Sequence, residues 1–423
     1  MTAVARDAPP IRILSAAAAS NILAVLPAFL VGSLAVLIGQ DLGFGAQRLG
    51  VAVSLYYAVA AGASLLAGPI SERLGAHRSL RVAAIGSGLG CLLIATLARS
   101  WLHLVLALSL AAFSNAVIQP AANLALARGI APERQGFAFG LKQSAGPAAI
   151  LVSGAAVPAI GLTIGWRWAF GLVLLLATTT YVLALGGGGP LQRTTKAERR
   201  VGDLSQSTLV LLATAVALAV ASASTLGAFF VASAVELGHG VGAAGIWLAV
   251  GGLSSVCMRL LQGWLADRRT RGHLIMVVGL VLLGAVGCAL LSLATSPWVL
   301  LVATFLAFGC GWGWPGLYQY AIVRLNPGAP GDATGTIMVG MFAGGMLGPI
   351  LFGTIAERSS YAAAWLVQAA LLLTGATLIM LSRRRVRREV GERAFNSARA
   401  AHPSRSKLAT RHQEAPDTQQ GTP

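Results

Sequence analysis

The sequence predicts an all-α integral membrane protein with twelve transmembrane helices in two six-helix bundles and both termini in the cytoplasm. Hydrophobic residues fill 56% of its 423 positions and charged residues only 11%, with a mean hydropathy of +0.74. A soluble domain has about 25% charged residues, and a bilayer-crossing helix needs about 20 apolar residues. The apolar runs are continuous rather than alternating, which disfavours a β-barrel. Twelve spans can be drawn, at 13–39, 49–70, 80–98, 101–127, 137–160, 166–187, 207–235, 243–266, 274–295, 298–323, 335–356 and 361–382.

The basic residues lie mostly on one side of these spans. The net charge is +17, with 31 Lys and Arg residues in all. Lys142 and Arg259 fall inside spans, and the loops of one side contain only Arg48, Arg99, Arg167 and Arg358. All the others belong to the opposite side. This bias assigns that side and both termini to the cytoplasm of a bacterial inner membrane. It also leaves no folded basic surface for nucleic acid, so nucleic-acid binding is excluded.

A change in composition divides the chain into two blocks. Four glycines and a proline at 186–190 end the sixth span, and a basic linker follows. Arg6 and Arg12 before an apolar run resemble a signal peptide, but eleven further spans favour a retained helix. The tail is poor in apolar residues and should be disordered, with a basic start that is either a topology signal near anionic lipid or a partner site. The predicted segments are the cytoplasmic N-terminus 1–12, the bundles 13–187 and 207–382, the linker 188–206 and the tail 383–423.

Two short charged hairpins recur at matching places, between the second and third span of each block. A carboxylate there can sit over a helix N-terminus and pair with arginines, and glycine permits a tight reversal. A contact made in one conformation and broken in another would bias an open–closed equilibrium; the alternative is a solvated loop that carries topology charges. The predicted latch residues are Gly68, Glu72, Arg73, Gly75 and Arg78 in the first hairpin and Gly263, Asp267 and Arg268 in the second.

The hairpins and the 6+6 division resemble the major facilitator superfamily over residues 13–382. The motif is Gly-x-x-x-Asp/Glu-Arg-x-Gly-x-x-Arg, with Glu72 where the family usually has Asp. The resemblance implies parallel repeats that rock to give alternating access. It also implies an inner latch that holds the outward-open state, and a cavity between helices 1, 4, 7 and 10. Drug–proton antiport is disfavoured, because Ala116 stands at that group's helix-4 Arg position and Gly146-Pro147 lacks the second glycine pair.

Polar side chains mark a candidate binding face on the fourth span. Asn115, Gln119 and Asn123 are spaced i, i+4, i+8 and therefore share one helix face. Amides are costly against lipid, so they should face protein or water. They bind a solute or join packed helices by hydrogen bonds, and the sequence leaves both readings open. Asn21, Gln143 and Gln319 are further candidates for solute contact.

Aromatic residues mark the tenth span. Trp312, Trp314 and Tyr318 lie near mid-span, too deep for an interfacial aromatic belt. Four glycines and Pro315 in the same stretch predict a kink or an unwound turn whose backbone groups need partners. We expect these aromatic side chains to form a cavity wall, with core packing as the alternative.

The two cations inside spans are the sharpest chemical indication. Charge within a membrane span is costly and usually functional, so Lys142 and Arg259 are expected to attract an anionic solute. Structural alternatives remain open: Arg259 is two turns from Asp267 and could brace the second hairpin, and Lys142 could extend toward the interface. The 14 acidic residues all lie in loops, tails or span ends.

We expect a secondary transporter that moves a small polar or anionic organic solute, in symport with protons, as a monomer. The alternatives are an exporter of amphipathic compounds and, from another class, a membrane sensor that does not transport. A primary pump is unsupported without a Gly-x-x-x-x-Gly-Lys-Ser/Thr loop. An enzyme is equally unsupported, since no span carries a His/Asp/Glu cluster. No cofactor or metal is predicted, because the four cysteines show no metal-binding spacing.

Overall fold

The computed structural model describes residues 9–185, 204–268, 272–326 and 330–401, and its described residues form helices without strands. Twelve helices are long and apolar enough to cross a membrane, as predicted. The first block contains α1 Pro10–Ser33, α2 Ala46–Leu74, α3 Ala76–Leu97, α4 Trp101–Gly129, α5 Gly140–Gly161 and α6 Trp166–Leu183. The second contains α7 Gln206–Glu236, α8 Val241–Ala266, α9 His273–Leu291, α10 Pro297–Leu325, α11 Ala333–Arg358 and α12 Tyr361–Glu389.

The even number of helices puts the start of α1 and the end of α12 at one end of the bundle. We call it the linker end, and we call the other the Asp41 end. At the Asp41 end, Arg167 donates to Asp41 at 2.6 Å and to the carbonyl of Ala98 at 2.9 Å. Trp166 donates its Nε1–H to the same carboxylate at 3.1 Å. This network ties α6 to the segments after α1 and α3.

Helices α5 and α10 are interrupted. Helix α5 has a break at Ser144 and ends in a π-helical turn at Val157–Gly161. Helix α10 starts as an α-helix, passes through a π-helical stretch at Phe305–Cys310, and resumes at Pro315 after an irregular turn. Proline cannot donate the backbone bond that would continue the helix, which accounts for the position of the turn. The break predicted for the tenth span is therefore present.

The last helix continues beyond the predicted end of the second bundle. We expected an unfolded tail from residue 383. Instead the helix that contains the span Tyr361–Glu389 continues to Ala401. Residues 402–423 lie outside the described part. Glu389 accepts hydrogen bonds from Ser205 Oγ and Thr208 Oγ1, both at 2.6 Å, and from the Ser205 N–H at 3.0 Å. Arginine and glutamate are good helix formers, so charge alone did not end the helix.

The two blocks pack tightly near the Asp41 end. A Cβ on Gly32 would collide with the backbone of Gly227, and one on Gly50 would collide with the backbone of Pro349. Gly154 of α5 lies just as closely against Ala249 of α8. Small residues permit such approach between membrane helices. The contacts close the bundle at this end.

Glu357 of α11 caps helix α2 across the interface between the blocks. The Gln47 N–H donates to Glu357 Oε2 at 3.3 Å, and a Cβ on Gly45 would lie 2.6 Å from that oxygen. Gly45 is the N-cap of α2 and supplies no side-chain cap itself. The carboxylate from the other block takes this role at the positive end of the helix dipole.

Replacing Glu357 by glutamine should favour opening of the Asp41 end by about two- to fivefold in population, because the charge at the helix end is lost. Spin labels on Thr163 and Thr295, exposed loop residues of opposite blocks, would report a larger long-distance fraction. Glu236→Gln is the control, since Glu236 is exposed at the same end and makes no ion pair with a described residue. Equal distance distributions in both variants would refute the cap's role.

Candidate functional site

The amide row of α4 meets Lys142 of α5. The Lys142 ammonium donates to Asn123 Oδ1 at 2.6 Å and to Gln119 Oε1 at 3.1 Å. The Gln119 amide donates in turn to Asn115 Oδ1 at 3.4 Å. Four residues chosen from the sequence thus form one hydrogen-bonded row. These hydrogen bonds join α4 to α5, as the helix-packing alternative expects, and contact of the amides with a solute stays a prediction.

Exposure rises along this row toward the linker end. Asn115 is 6% exposed, Gln119 is half-buried and Asn123 is exposed. Because the three share one helix face, the exposure of that face increases toward the linker end. Lys142 itself is only 5% exposed, so its side chain turns inward and does not extend to an interface. The row is therefore buried toward the Asp41 end and exposed toward the linker end.

Arg259 of α8 joins this region from the second block. One guanidinium nitrogen donates to the carbonyl of Gln143, which follows Lys142, and the other donates to the Trp312 carbonyl at 3.1 Å. The Trp312 carbonyl lies in the irregular turn of α10, outside the regular helix, and Arg259 provides it with a hydrogen-bond donor. Whether Arg259 also pairs with Asp267 and so braces the second hairpin stays untested, because the Asp267 side chain lies outside the described residues.

Neither cation is neutralised by a carboxylate in the described part of the chain. The Arg167–Asp41 pair is the one salt bridge among the described residues. Lys142 has two amide oxygens as partners and Arg259 has two backbone carbonyls. Taking a charge out of water without a counter-ion is costly. The interface therefore carries positive charge that neutral dipoles stabilise only in part.

Gln143 and Gln319 form a bridge between the blocks. The Gln143 amide donates to Gln319 Oε1 at 2.8 Å, and the Gln319 amide lies 3.5 Å from the sulfur of Met341. Both glutamines are half-buried. They were expected to contact solute, and they sit beside Lys142 and Arg259, so that expectation stays a prediction.

The three aromatic residues of α10 occupy different surroundings. Trp312 packs edge-on against Phe29 of α1, with ring centroids 5.4 Å apart, and is partly exposed. Trp314 and Tyr318 are fully buried. Their polar atoms bond to carbonyls, Trp314 to Gly311 at 2.8 Å and Tyr318 to Leu212 at 2.9 Å. In this conformation Trp312 alone of the three has an accessible surface beside Arg259; a wall role for the other two stays a prediction.

Other residues stand apart from the row. Asn21 is buried and donates to Ala17 in its own helix at 2.9 Å. Sequence reasoning missed Gln262 of α8, which is 4% exposed. Gln262 carries no charge, and the sequence signal that could have revealed it is its place one turn after Arg259 on the same side of the span.

The first hairpin is a tight turn that makes no ion pair with the described part of the chain. Gly75 has a φ of +79°, a conformation that favours glycine, as expected for the reversal. Glu72, Arg73 and Arg78 are exposed, and Glu72 makes no salt bridge with any described residue. Gly68 was expected to allow close helix approach, but no atom lies within 4 Å of the place where its Cβ would be. The latch role of this hairpin therefore stays a prediction.

The second hairpin shows the same absence of close packing. Gly263 also has open space around its Cβ position. The guanidinium of Arg268 lies 3.7 Å from the ring centroid of Trp264, a cation–π contact within one helix end. The Asp267 side chain is outside the described residues, so the latch role of this hairpin remains a prediction.

Two blocks of six helices, closed at one end and joined at their interface by polar side chains, define a membrane transport protein rather than an enzyme. The chain belongs to the Major Facilitator Superfamily, whose family model matches residues 13–328 and 212–413. The resemblance found in the hairpins is thereby confirmed.

Relatives agree with this class. Monocarboxylate transporter 11 of Mus musculus is 29% identical over 362 residues, which cover 77% of each chain. Among solved structures, a mutant of the nucleoside transporter NupG matches with a TM-score of 0.71 and 16% identity, over 88% of this chain and 98% of that one. A D-xylose-proton symporter matches with a TM-score of 0.68 and 14% identity, over 88% and 96%. Such low identities to the solved structures establish the fold alone.

Proposed function

We propose that this protein carries a small organic anion across the bacterial inner membrane by alternating access, in symport with protons. The observation that carries the proposal is the pair of cations, Lys142 and Arg259, with only neutral partners in the described residues. An anion between them would gain two charge-assisted interactions in a region of low dielectric. The printed name of the mouse relative, a monocarboxylate transporter, supports a carboxylate as that anion.

The two cations come from different blocks, which suits a rocking mechanism. Lys142 belongs to the first block and Arg259 to the second. Gln119 and Asn123 orient the ammonium, and the Trp312 carbonyl orients the guanidinium. A carboxylate that bridges both would favour the state in which the blocks approach each other around it. Such differential binding is what lets a solute shift a conformational equilibrium.

Charge balance favours proton coupling. Carrying one monoanion alone moves one negative charge, whereas carrying it with a proton is electroneutral. Arginine stays protonated, so Lys142 is the candidate proton carrier among the described cations that meet at the site. The D-xylose-proton symporter has the same fold, which is compatible with coupling of this kind. The bias of Lys and Arg supports both termini on the cytoplasmic side.

Uptake into proteoliposomes tests the proposal. Short carboxylates, their amine analogues and an amphipathic dye would each be offered with and without an acid-outside pH gradient. We expect accumulation of carboxylates, driven by the pH gradient and abolished by a protonophore, and no uptake of amines. Dye flux without carboxylate flux would indicate an exporter of amphipathic compounds instead. Carboxylate binding without flux would indicate a sensor, and uptake indifferent to pH would refute proton symport.

A further inference from the structure

Helix α8 carries buried polar atoms that have no hydrogen-bond partner in the described residues. They are Ser255 Oγ, Arg259 Nε and both amide atoms of Gln262. The three residues are spaced i, i+4, i+7, so they lie along one side of α8. Gln262 is 96% buried, as its exposure is only 4%. Its amide is the largest unsatisfied group of the three.

The Gln262 amide faces the irregular turn of α10. Its Nε2 lies 2.9 Å from the place where a Cβ on Gly313 would be, so glycine leaves room for the amide there. The preceding residue of the turn, Trp312, accepts the hydrogen bond from Arg259. Gln262 and Arg259 therefore approach the same turn from the same helix.

An unsatisfied buried amide is costly, and few survive in native proteins without a reason. Missing partners alone do not identify a site, because Gln368 of α12 is also fully buried with both amide atoms unpartnered. What distinguishes Gln262 is its position beside a cation that lacks a carboxylate partner and beside a broken helix. Both features are typical of solute sites in transporters.

We infer that Gln262 forms, with the Nε–H of Arg259, a second polar subsite that binds a hydroxyl group of the transported anion. An amide offers both a donor and an acceptor, which match the acceptor and donor of a hydroxyl. The solute is then a short carboxylate with a hydroxyl substituent, not an unsubstituted fatty acid. This inference rests on the proposed function and narrows the substrate class of the same site.

Matched acids of equal chain length test the subsite. Pentanoate, 3-hydroxypentanoate and 5-hydroxypentanoate would be compared in proteoliposome uptake by the wild type, Gln262→Leu and Gln368→Leu. The wild type should transport at least one hydroxy acid about tenfold better than pentanoate, the contribution expected of a buried hydrogen bond. Gln262→Leu should bring that ratio close to one. Gln368→Leu, the same change at an equally buried and unpartnered glutamine, should keep the ratio of the wild type.

The outcomes separate this inference from the proposed function. If the wild type carries none of the three acids, the proposed function fails. If it carries pentanoate as well as both hydroxy acids, or if Gln262→Leu keeps the wild-type ratio, the subsite is refuted. Should Gln262→Leu fail to elute as a monodisperse protein, Gln262→Met, which also removes the amide and retains the length, is scored by the same ratio.

Discussion

Replacing Lys142 by alanine should lower the initial rate of carboxylate uptake by about 100-fold or more. The substitution removes the ammonium that Gln119 and Asn123 hold at the interface between the blocks. Loss of one partner from a buried, hydrogen-bonded charge pair costs several kcal/mol, or at least two powers of ten in affinity. Uptake into proteoliposomes at equal protein content measures the effect, with size-exclusion elution as the check on folding.

Two further variants make this result specific. Arg134 lies two turns before Lys142 in the same helical segment, Pro132–Gln143, and is exposed. Arg134→Ala removes the same charge from the same part of the chain and should keep uptake within about twofold, as expected for an exposed charge. Lys142→Arg keeps the positive charge but cannot release a proton, so it should still bind the carboxylate while losing the accumulation that the pH gradient drives. Wild-type uptake by Lys142→Ala would exclude the ammonium from the transport path.

Replacing Gly154 by leucine should stop transport almost completely, for a mechanical reason. Gly154 lies against the backbone of Gly245 and Ala249 of the other block. Backbone atoms cannot rotate out of the way, so a larger side chain prevents closure of the Asp41 end. The cycle then halts with that end open. Spin labels on Thr163 and Thr295 should move to the longer distance in nearly all molecules, a larger shift than that expected for Glu357→Gln.

Gly279→Leu is the control for this experiment. Gly279 lies on α9, is exposed, and has no atom within 4 Å of its Cβ position. Gly279→Leu should transport carboxylates and show the same distances between the two spin labels as the protein with glycine at this position. Both labelled variants need Cys257→Ser, because Cys257 is the exposed cysteine of the four. Normal uptake by Gly154→Leu would mean that α5 and α8 do not approach each other this closely during transport.

The fold was predictable because its signals are local. Each span carries enough apolar residues to identify it, and predicted ends such as 49–70 fall within a few residues of Ala46–Leu74. The end of α12 was predicted wrongly, since hydropathy marks where a helix leaves lipid and not where it stops. The helix continues past that point, and there the Glu389 carboxylate receives hydrogen bonds from Ser205 and Thr208, which are 184 and 181 residues distant.

The site was only partly predictable. The row of Asn115, Gln119 and Asn123 follows from helical spacing. Which cation reaches it depends on how α4 packs against α5, and no spacing contains that information. Sequence also cannot tell a partly exposed Trp312 from a fully buried Trp314, because both lie near the break in one span.

The extension of α12 sets a lower limit on how far the chain can be shortened. Glu389 fastens the last helix to the first residues of α7, so the second block forms a closed ring from Ser205 to Glu389. A chain that ended before residue 389 would lose the carboxylate that receives these three hydrogen bonds at the start of α7.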